Sequence, residues 1–466
     1  MRGGRKRYSQ GGQRQILQML RKKQKPREKE QKYPAEQLGT APVGRLILEM
    51  SVPSVIGVMA YSIYNLFDTV FLSQGAGMEA VGGTAVSFPL FLFLSAVSST
   101  LGSGAASVMS RAFGRGDMEQ AAKTAGNTFA VFYGTAVLVT VFGLLFLDPV
   151  LYAMGVTDDL LPYARDYTRI ILAGAVTSTG FSSLIRAEGS SRYAMNIWVI
   201  PLSANVVFDC LSIFAFRMGV TGAALGTVLG QCISMGMSIW YFFLSGKSCL
   251  NLKLRHFLPD FPVIKEIVLT GLPSFVQTCG TGLSTVIVNW FLRKYGGSLS
   301  IGTYGIAGRV MTFVQFPVMG LAQGIQPVIG YNRGAGKWER VRETMKKSLR
   351  GAAVYGGAVY LLTALFPETV LGIFTGDEEV LKLGSRILRI AGLGLAFSAV
   401  VWIRATYFQA VGRKRAALLA GLLGPVIFFA PAAFVLGGMF GLDGIWYAFP
   451  VSAAAACLVT KNCTDR

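Results

Sequence analysis

The sequence predicts an all-α polytopic membrane protein with twelve transmembrane helices in two six-helix lobes, related by a parallel pseudo-twofold repeat. Three observations predict it. Of the 466 residues 52% are hydrophobic and 15% charged, with a mean hydropathy of +0.49, too apolar for a water-soluble chain of this length. Charge-free runs of about 17 to 25 residues, enough to cross a bilayer as helix, recur along the chain, and the charges collect between them. The chain also repeats itself at a spacing near 220 residues. A barrel would show alternating segments of roughly 10 residues in place of these continuous runs.

Taken in order, residues 1–40 hold a cluster of basic side chains, among them Arg5, Lys6, Arg7, Arg21, Lys22, Lys23 and Lys25, against Glu28, Glu30 and Glu36. This stretch reads as a disordered cytoplasmic tail that fixes topology and touches anionic lipid headgroups. Without interleaved aromatic residues it does not read as a nucleic-acid binder. Ile16 to Leu20 is too short for a signal peptide, so the first span serves as its own insertion signal.

Spans are placed at about 47–72, 84–109, 124–147, 168–186, 194–216 and 220–244, then 266–292, 303–331, 351–366, 386–408, 416–440 and 443–460. They divide into a first lobe, 41–246, an inter-lobe linker, 247–265, and a second lobe, 266–466. The last span is short and stops at Lys461 to Arg466, which reads as a truncated or altered end. With both termini on the cytoplasmic side, the lysines and arginines of the inner loops outnumber those of the outer loops by more than two to one, and the outer loops carry Asp158, Asp159, Asp377, Glu378 and Glu379.

The repeat pairs Pro53 with Pro273, Gly114 with Gly334, Gly116 with Gly336 and Glu119 with Glu339 at 220 residues, and Gly189 with Gly412 at 223. Six crossings per copy leave both copies in the same orientation, so a cavity is expected between them near the midplane. The six cysteines show no CxxC spacing and His256 stands alone, so neither a zinc site, a disulfide nor any cofactor is expected.

Polar groups inside the spans point to function. A carboxylate in hydrocarbon costs roughly 2.5 to 3.5 kcal/mol. Yet Asp68 interrupts span 1, Asn205 and Asp209 sit one turn apart in span 5, and Thr227 lies in span 6. Counting 1.5 Å per residue puts all of them at a similar depth, roughly 7 to 12 Å below the outer ends of their helices, with Asn205 a turn deeper. Such oxygens could carry a proton or coordinate Na+. The bland alternative is that each aspartate caps its helix and meets water. The second lobe has Arg309 and Arg404 but no acid well inside a span, so ion coupling is expected in the first lobe alone. Pro53 and Pro201 are the expected bending points. Met59, Tyr61, Tyr64, Asn65, Gln277 and Arg309 are candidates for lining a substrate cavity.

Tyr64-Asn65-Leu66-Phe67-Asp68, Arg186-Ala187-Glu188-Gly189, Asn205 with Asp209, the run Gly222 to Thr227, and Tyr407 to Gly412 together resemble the multidrug and toxic compound extrusion (MATE) family. The resemblance covers nearly all of the chain after residue 40. It implies two V-shaped lobes, export of cationic or amphipathic compounds against entering H+ or Na+, a cation site at Asp68, Asn205, Asp209 and Thr227, and a helix 1 that bends at Pro53. One branch of the family carries acids in the second lobe, and this chain lacks them. The expectation is therefore a monomeric antiporter of the plasma or inner membrane with small organic substrates and the lipid bilayer as its partners. A lipid-linked oligosaccharide or lipid flippase of related fold is the alternative, and no enzyme motif is present.

Overall fold

A computed structural model describes residues 34–75, 77–177 and 181–465, and no strand occurs among them. A short helix α1 (Pro34–Thr40) precedes the first lobe. That lobe contains α2 (Val43–Gly75), α3 (Met78–Arg115), α4 (Met118–Leu145), the short α5 (Leu147–Ala153), a fourth span divided into α6 (Leu161–Ala173) and α7 (Ser182–Ala187), then α8 (Ser191–Cys210) and α9 (Gly219–Ile239). The second lobe repeats the order with α10 (Phe261–Tyr295), α11 (Gly297–Gly334), α12 (Trp338–Leu365), the short α13 (Pro367–Gly372), a fourth span divided into α14 (Glu378–Ala391) and α15 (Gly394–Val411), a fifth span of α16 (Lys414–Leu422) and α17 (Phe429–Phe440), and α18 (Leu442–Asp465). Ten spans qualify for crossing a bilayer on length and composition. Helices α10 and α12, of 35 and 28 residues, complete the twelve.

Three readings from the sequence are corrected. Residues 34–40, assigned to a disordered tail, form α1, and the carbonyls of Leu38, Gly39 and, just past its end, Ala41 accept hydrogen bonds from Asn332, Lys337 and Arg340. Three cationic or amide donors at a helix carboxyl end satisfy groups that would otherwise lack partners. Residues 1–33 of that segment lie outside the described residues. The last helix is not short, because it continues from Leu442 through Lys461 to Asp465. The helix of the ninth span starts earlier than 351, at Trp338, and its first half carries Arg340, Arg342, Lys346, Lys347 and Arg350 ahead of the apolar stretch.

Each fourth span breaks beside a glycine, Gly174 after α6 and Gly392 after α14. Close packing accompanies both breaks: Gly174 lies against the Val228 side chain of α9, and Gly394, which opens α15, against the backbone of Phe449 in α18. Proline has comparable local consequences. Pro201 lies within α8 and removes the ladder bond to the Ile197 carbonyl, which the Ser234 hydroxyl of α9 satisfies instead. Pro53 lies inside an unbroken α2.

The lobes meet through α2 against α11 and α3 against α10, and glycines make the contact. Gly104 lies on the backbone at Ile267 and Gly271, Gly324 on Ser51, Gly320 on Val55, and Gly330 on Ser110. Lipid tails are as apolar as leucine, so close backbone packing has to supply this association. All these contacts fall in the half of the molecule that carries the basic loops. In the other half the contacts across the lobes are fewer: the edge-on pair Phe93 and Phe275, 6.2 Å apart, and Gly282 facing Leu92. Cross-lobe backbone contacts are thus concentrated at the basic end.

Candidate functional site

Helix α2 builds one wall of the site with a single stripe. Gly57, Tyr61, Tyr64, Asp68 and Gly75 recur at three- and four-residue spacing, or two turns, and so share a face. That face looks into the first lobe. Gly57 lies against Trp198, the Tyr61 ring packs edge-on to Trp198 at 5.6 Å, the Tyr64 hydroxyl is 3.1 Å from Thr227 Oγ1, and Gly75 meets Ile213. Asp68 is thus turned toward α8 and α9 and is only partly exposed.

Helix α8 supplies Asn205 and Asp209, which are 2% and 1% exposed, so neither is an interfacial cap. Asn205 Nδ2 is 3.5 Å from Asp209 Oδ1. Helix α9 makes room for them with glycine. A Cβ at Gly226 would overlap Asp209 Oδ1, and one at Gly230 would press on the Pro201 carbonyl and the Asn205 side chain at 3.2 and 3.3 Å. Thr227 follows directly, half-buried, with its hydroxyl on Tyr64.

Asp68 and Asp209 lie within electrostatic reach of each other, and both interact with the phenols of Tyr64 and Tyr167. Buried polar atoms in folded proteins nearly always find a partner. Here Asp68 Oδ1, Asn205 Oδ1 and Asp209 Oδ2 are buried without a hydrogen-bond partner among the described residues. Two carboxylates, an amide carbonyl and two hydroxyls form a set of hard oxygen ligands, suited to a proton or a hard cation and not to zinc or copper.

A protein-family model described as MatE matches residues 53–211 and 273–435, one match in each lobe. The chain belongs to the MatE family. Among curated relatives, the multidrug export protein MepA of Staphylococcus aureus (strain MSSA476) is 25% identical over 91% of this chain and 95% of its own length. Among solved structures, an outward-facing multidrug resistance MATE family transporter of the MOP superfamily superposes with a TM-score of 0.87 at 24% identity, covering 92% of this chain and 96% of that one. A MOP superfamily transporter from Pyrococcus furiosus Vc1 gives 0.85 at 24% identity, covering 92% and 97%. As a MatE protein the chain is a multi-pass membrane transporter and not an enzyme.

The remaining sequence-derived candidates of this MatE chain fall in different places. Tyr61 and Tyr64 belong to the α2 stripe beside the carboxylates. Asn65 is exposed and returns its amide to the Tyr61 carbonyl at 2.8 Å. Met59 lies one turn beyond Val55, which faces Gly320 across the lobes. Gln277 packs against Gly421 within the second lobe, with 3.8 Å between its Cβ and a Cβ built at that glycine. Arg309 is exposed and lies eleven residues, three turns, before Gly320 on α11, so it shares the helix face that meets α2 at Gly320. Arg404 is a brace, bonded to the Cys457 carbonyl and to Thr460 Oγ1 at 3.1 Å.

Sequence reasoning missed Tyr167 and Gly226. Tyr167 sits on α6, where it packs against Leu72, Ile213 and Val220 around the site. Its only sequence signal was its position one turn after Tyr163. Gly226 was visible only as part of the run Gly222 to Thr227, with nothing in it to mark the space beside Asp209.

Proposed function

We propose that the chain is a secondary antiporter that exports cationic or amphipathic organic compounds in exchange for H+ or Na+ by alternating access. The carrying observation is the buried cluster of Asp68, Asn205 and Asp209, whose free oxygens belong to three side chains on two separate helices. An inward-moving cation neutralises the two carboxylates. That charge change favours one packing of α2 against α8 and α9 over another, and a ligand shifts only states that it binds differently. Drug entering beside the same helices then competes with the ion.

Multidrug export by the MepA relative supports the substrate class. The excess of lysine and arginine at one end of the molecule supports a cytoplasmic position for that end and for both termini in the plasma or inner membrane, so the more sparsely joined end of the seam faces outward. The bodies that rock are residues 41–246 and 266–466, hinged on 247–265, in a protein that acts as a monomer. The glycine seam suits such motion, because backbone surfaces without interlocking side chains can separate and close again.

The test is efflux of a fluorescent organic cation from proteoliposomes under an imposed H+ or Na+ gradient. Asp68→Asn and Asp209→Asn should each abolish gradient-driven efflux while leaving expression and melting temperature near wild type. Full transport by the double variant would remove the site, and the gradient that drives wild type identifies the ion.

A further inference from the structure

A cavity of about 250 Å³ lies at the basic end of the seam, lined by Arg111, Arg115, Glu266, Arg333, Gly412 and Lys414 among others. Four cations from both lobes face one carboxylate. Arg111 is buried, donating to the Ala410 carbonyl at 3.1 Å and to Glu266 Oε1 at 3.2 Å. Arg115 and Arg333 stand close enough to repel it. Arg115, Arg333 and Lys414 meet no carboxylate among the described residues, and Arg333 lies over the Trp338 ring at 4.4 Å.

The repeat shows that packing does not require these charges. At 220 residues the mates of Arg111, Arg115 and Arg333 are Tyr331, Ala335 and Phe113, and at 223 the mate of Lys414 is Ser191. Equivalent positions of the same fold do without a cation, so the cluster costs repulsion that folding alone does not repay. Planar guanidinium groups match phosphate oxygens in paired hydrogen bonds, and a lysine adds a point charge. At roughly 30 Å³ per water the volume holds a phosphate group with part of its hydration shell.

We propose that this cavity binds a phosphate-type anion across the seam between the lobes. The anion spans α3 on one side and α11 and α16 on the other, so it joins the lobes at their basic end. Inorganic phosphate and the headgroup of an acidic phospholipid share this chemistry. The inference stands independently of the transported substrate and of the coupling ion.

Two arms separate the sources, both using the full chain. In the first, purified protein in neutral detergent is titrated with inorganic phosphate, following binding of radiolabelled phosphate and the rise in Tm. In the second, the protein is placed in nanodiscs of phosphatidylcholine with or without phosphatidylglycerol. Saturable phosphate binding that Arg115→Gln with Lys414→Gln weakens by about tenfold or more supports a free anion. A Tm rise confined to phosphatidylglycerol discs, and lost in the same variant, supports a headgroup. Both substitutions leave the Arg111–Glu266 pair intact, and Arg342→Gln with Lys346→Gln on α12, both exposed, serves as a charge-matched control. Absence of binding in both arms overturns the proposal, as does an equal loss in the Arg342→Gln with Lys346→Gln control.

Discussion

Gly114 and Gly334 occupy the same position in the two repeats, and each lies on the backbone of the opposite lobe: Gly114 against the Tyr331 carbonyl, Gly334 against the Arg111 carbonyl. Because 111 and 331 are themselves repeat mates, the two contacts are related by the pseudo-twofold, which passes between them. Gly334→Leu should therefore wedge the basic ends apart. In a cysteine-free background, a probe cysteine at Ser107, buried in the same seam, should become reactive to a membrane-impermeant thiol reagent from the basic side, and efflux should fall. Unchanged reactivity in the variant would contradict the seam as described.

The site depends on missing atoms as much as on the carboxylates. Gly226→Ala puts a methyl where Asp209 Oδ1 sits, whereas Gly230→Ala meets neighbours at 3.2 Å or more. The first should abolish gradient-driven efflux as Asp209→Asn does, at a stability cost of about 1 to 3 kcal/mol from overpacking. The second should retain measurable efflux. Comparing initial efflux rates and melting temperatures of the two variants decides the matter.

Tyr64 and Thr227 join α2 to α9 through one hydrogen bond of 3.1 Å. Thr227→Val keeps the shape and removes the bond, for a loss of about 1 kcal/mol. A partial reduction in transport, with a shifted dependence on coupling-ion concentration, is expected. Total loss equal to that of Asp68→Asn would mean that Thr227 acts as more than a helix tie.

Glu188 lies between the fourth and fifth spans, fully buried, and accepts bonds from the Tyr241 hydroxyl, the Ser248 hydroxyl and the Cys249 amide. Burial pushes its carboxyl up to about 7 from 4.5, although the Cys249, Ser248 and Tyr241 donors favour the charged form. The folded protein consequently binds the extra proton between those values. This group's stabilising contribution is full below about 4.5 and is lost as pH rises through about 7. Melting temperature should accordingly fall between about pH 5 and pH 8, and Glu188→Gln should flatten that part of the profile. Parallel profiles for the two proteins would rule out Glu188 as the titrating group.

Arg309 is an exposed cation on the α11 face that Gly320 turns toward α2. If cationic compounds cross there, Arg309→Gln should lower the apparent KM for a cationic dye several-fold and leave a neutral amphipathic dye unaffected, since like charge in a pathway selects against its own sign. Equal effects on both dyes would place the arginine outside the path.

The sequence carried most of the architecture. The span count followed from apolar runs, because in hydrocarbon every backbone polar group must be satisfied within its own helix and length alone sets what can cross. The parallel relation of the lobes followed from the 220-residue spacing of Pro53 with Pro273 and Gly114 with Gly334. Asp68 and Asp209 were legible as site candidates because a buried carboxylate is costly wherever it stands. The α1 helix was not legible, since its few apolar residues, Ala35 and Leu38, gain burial only from neighbours supplied by both lobes.

By itself, then, the sequence determined the membrane class, the doubled plan, the basic side and the acids worth attention. All of these are costs or periods that one segment reveals alone. Only the tertiary structure decided that Tyr167 completes the carboxylate cluster, that Gly226 is the space Asp209 occupies, and that Arg111 and Arg333 share a cavity. Those relations depend on how each helix is rotated about its axis, and rotation is set by packing between segments far apart in the chain.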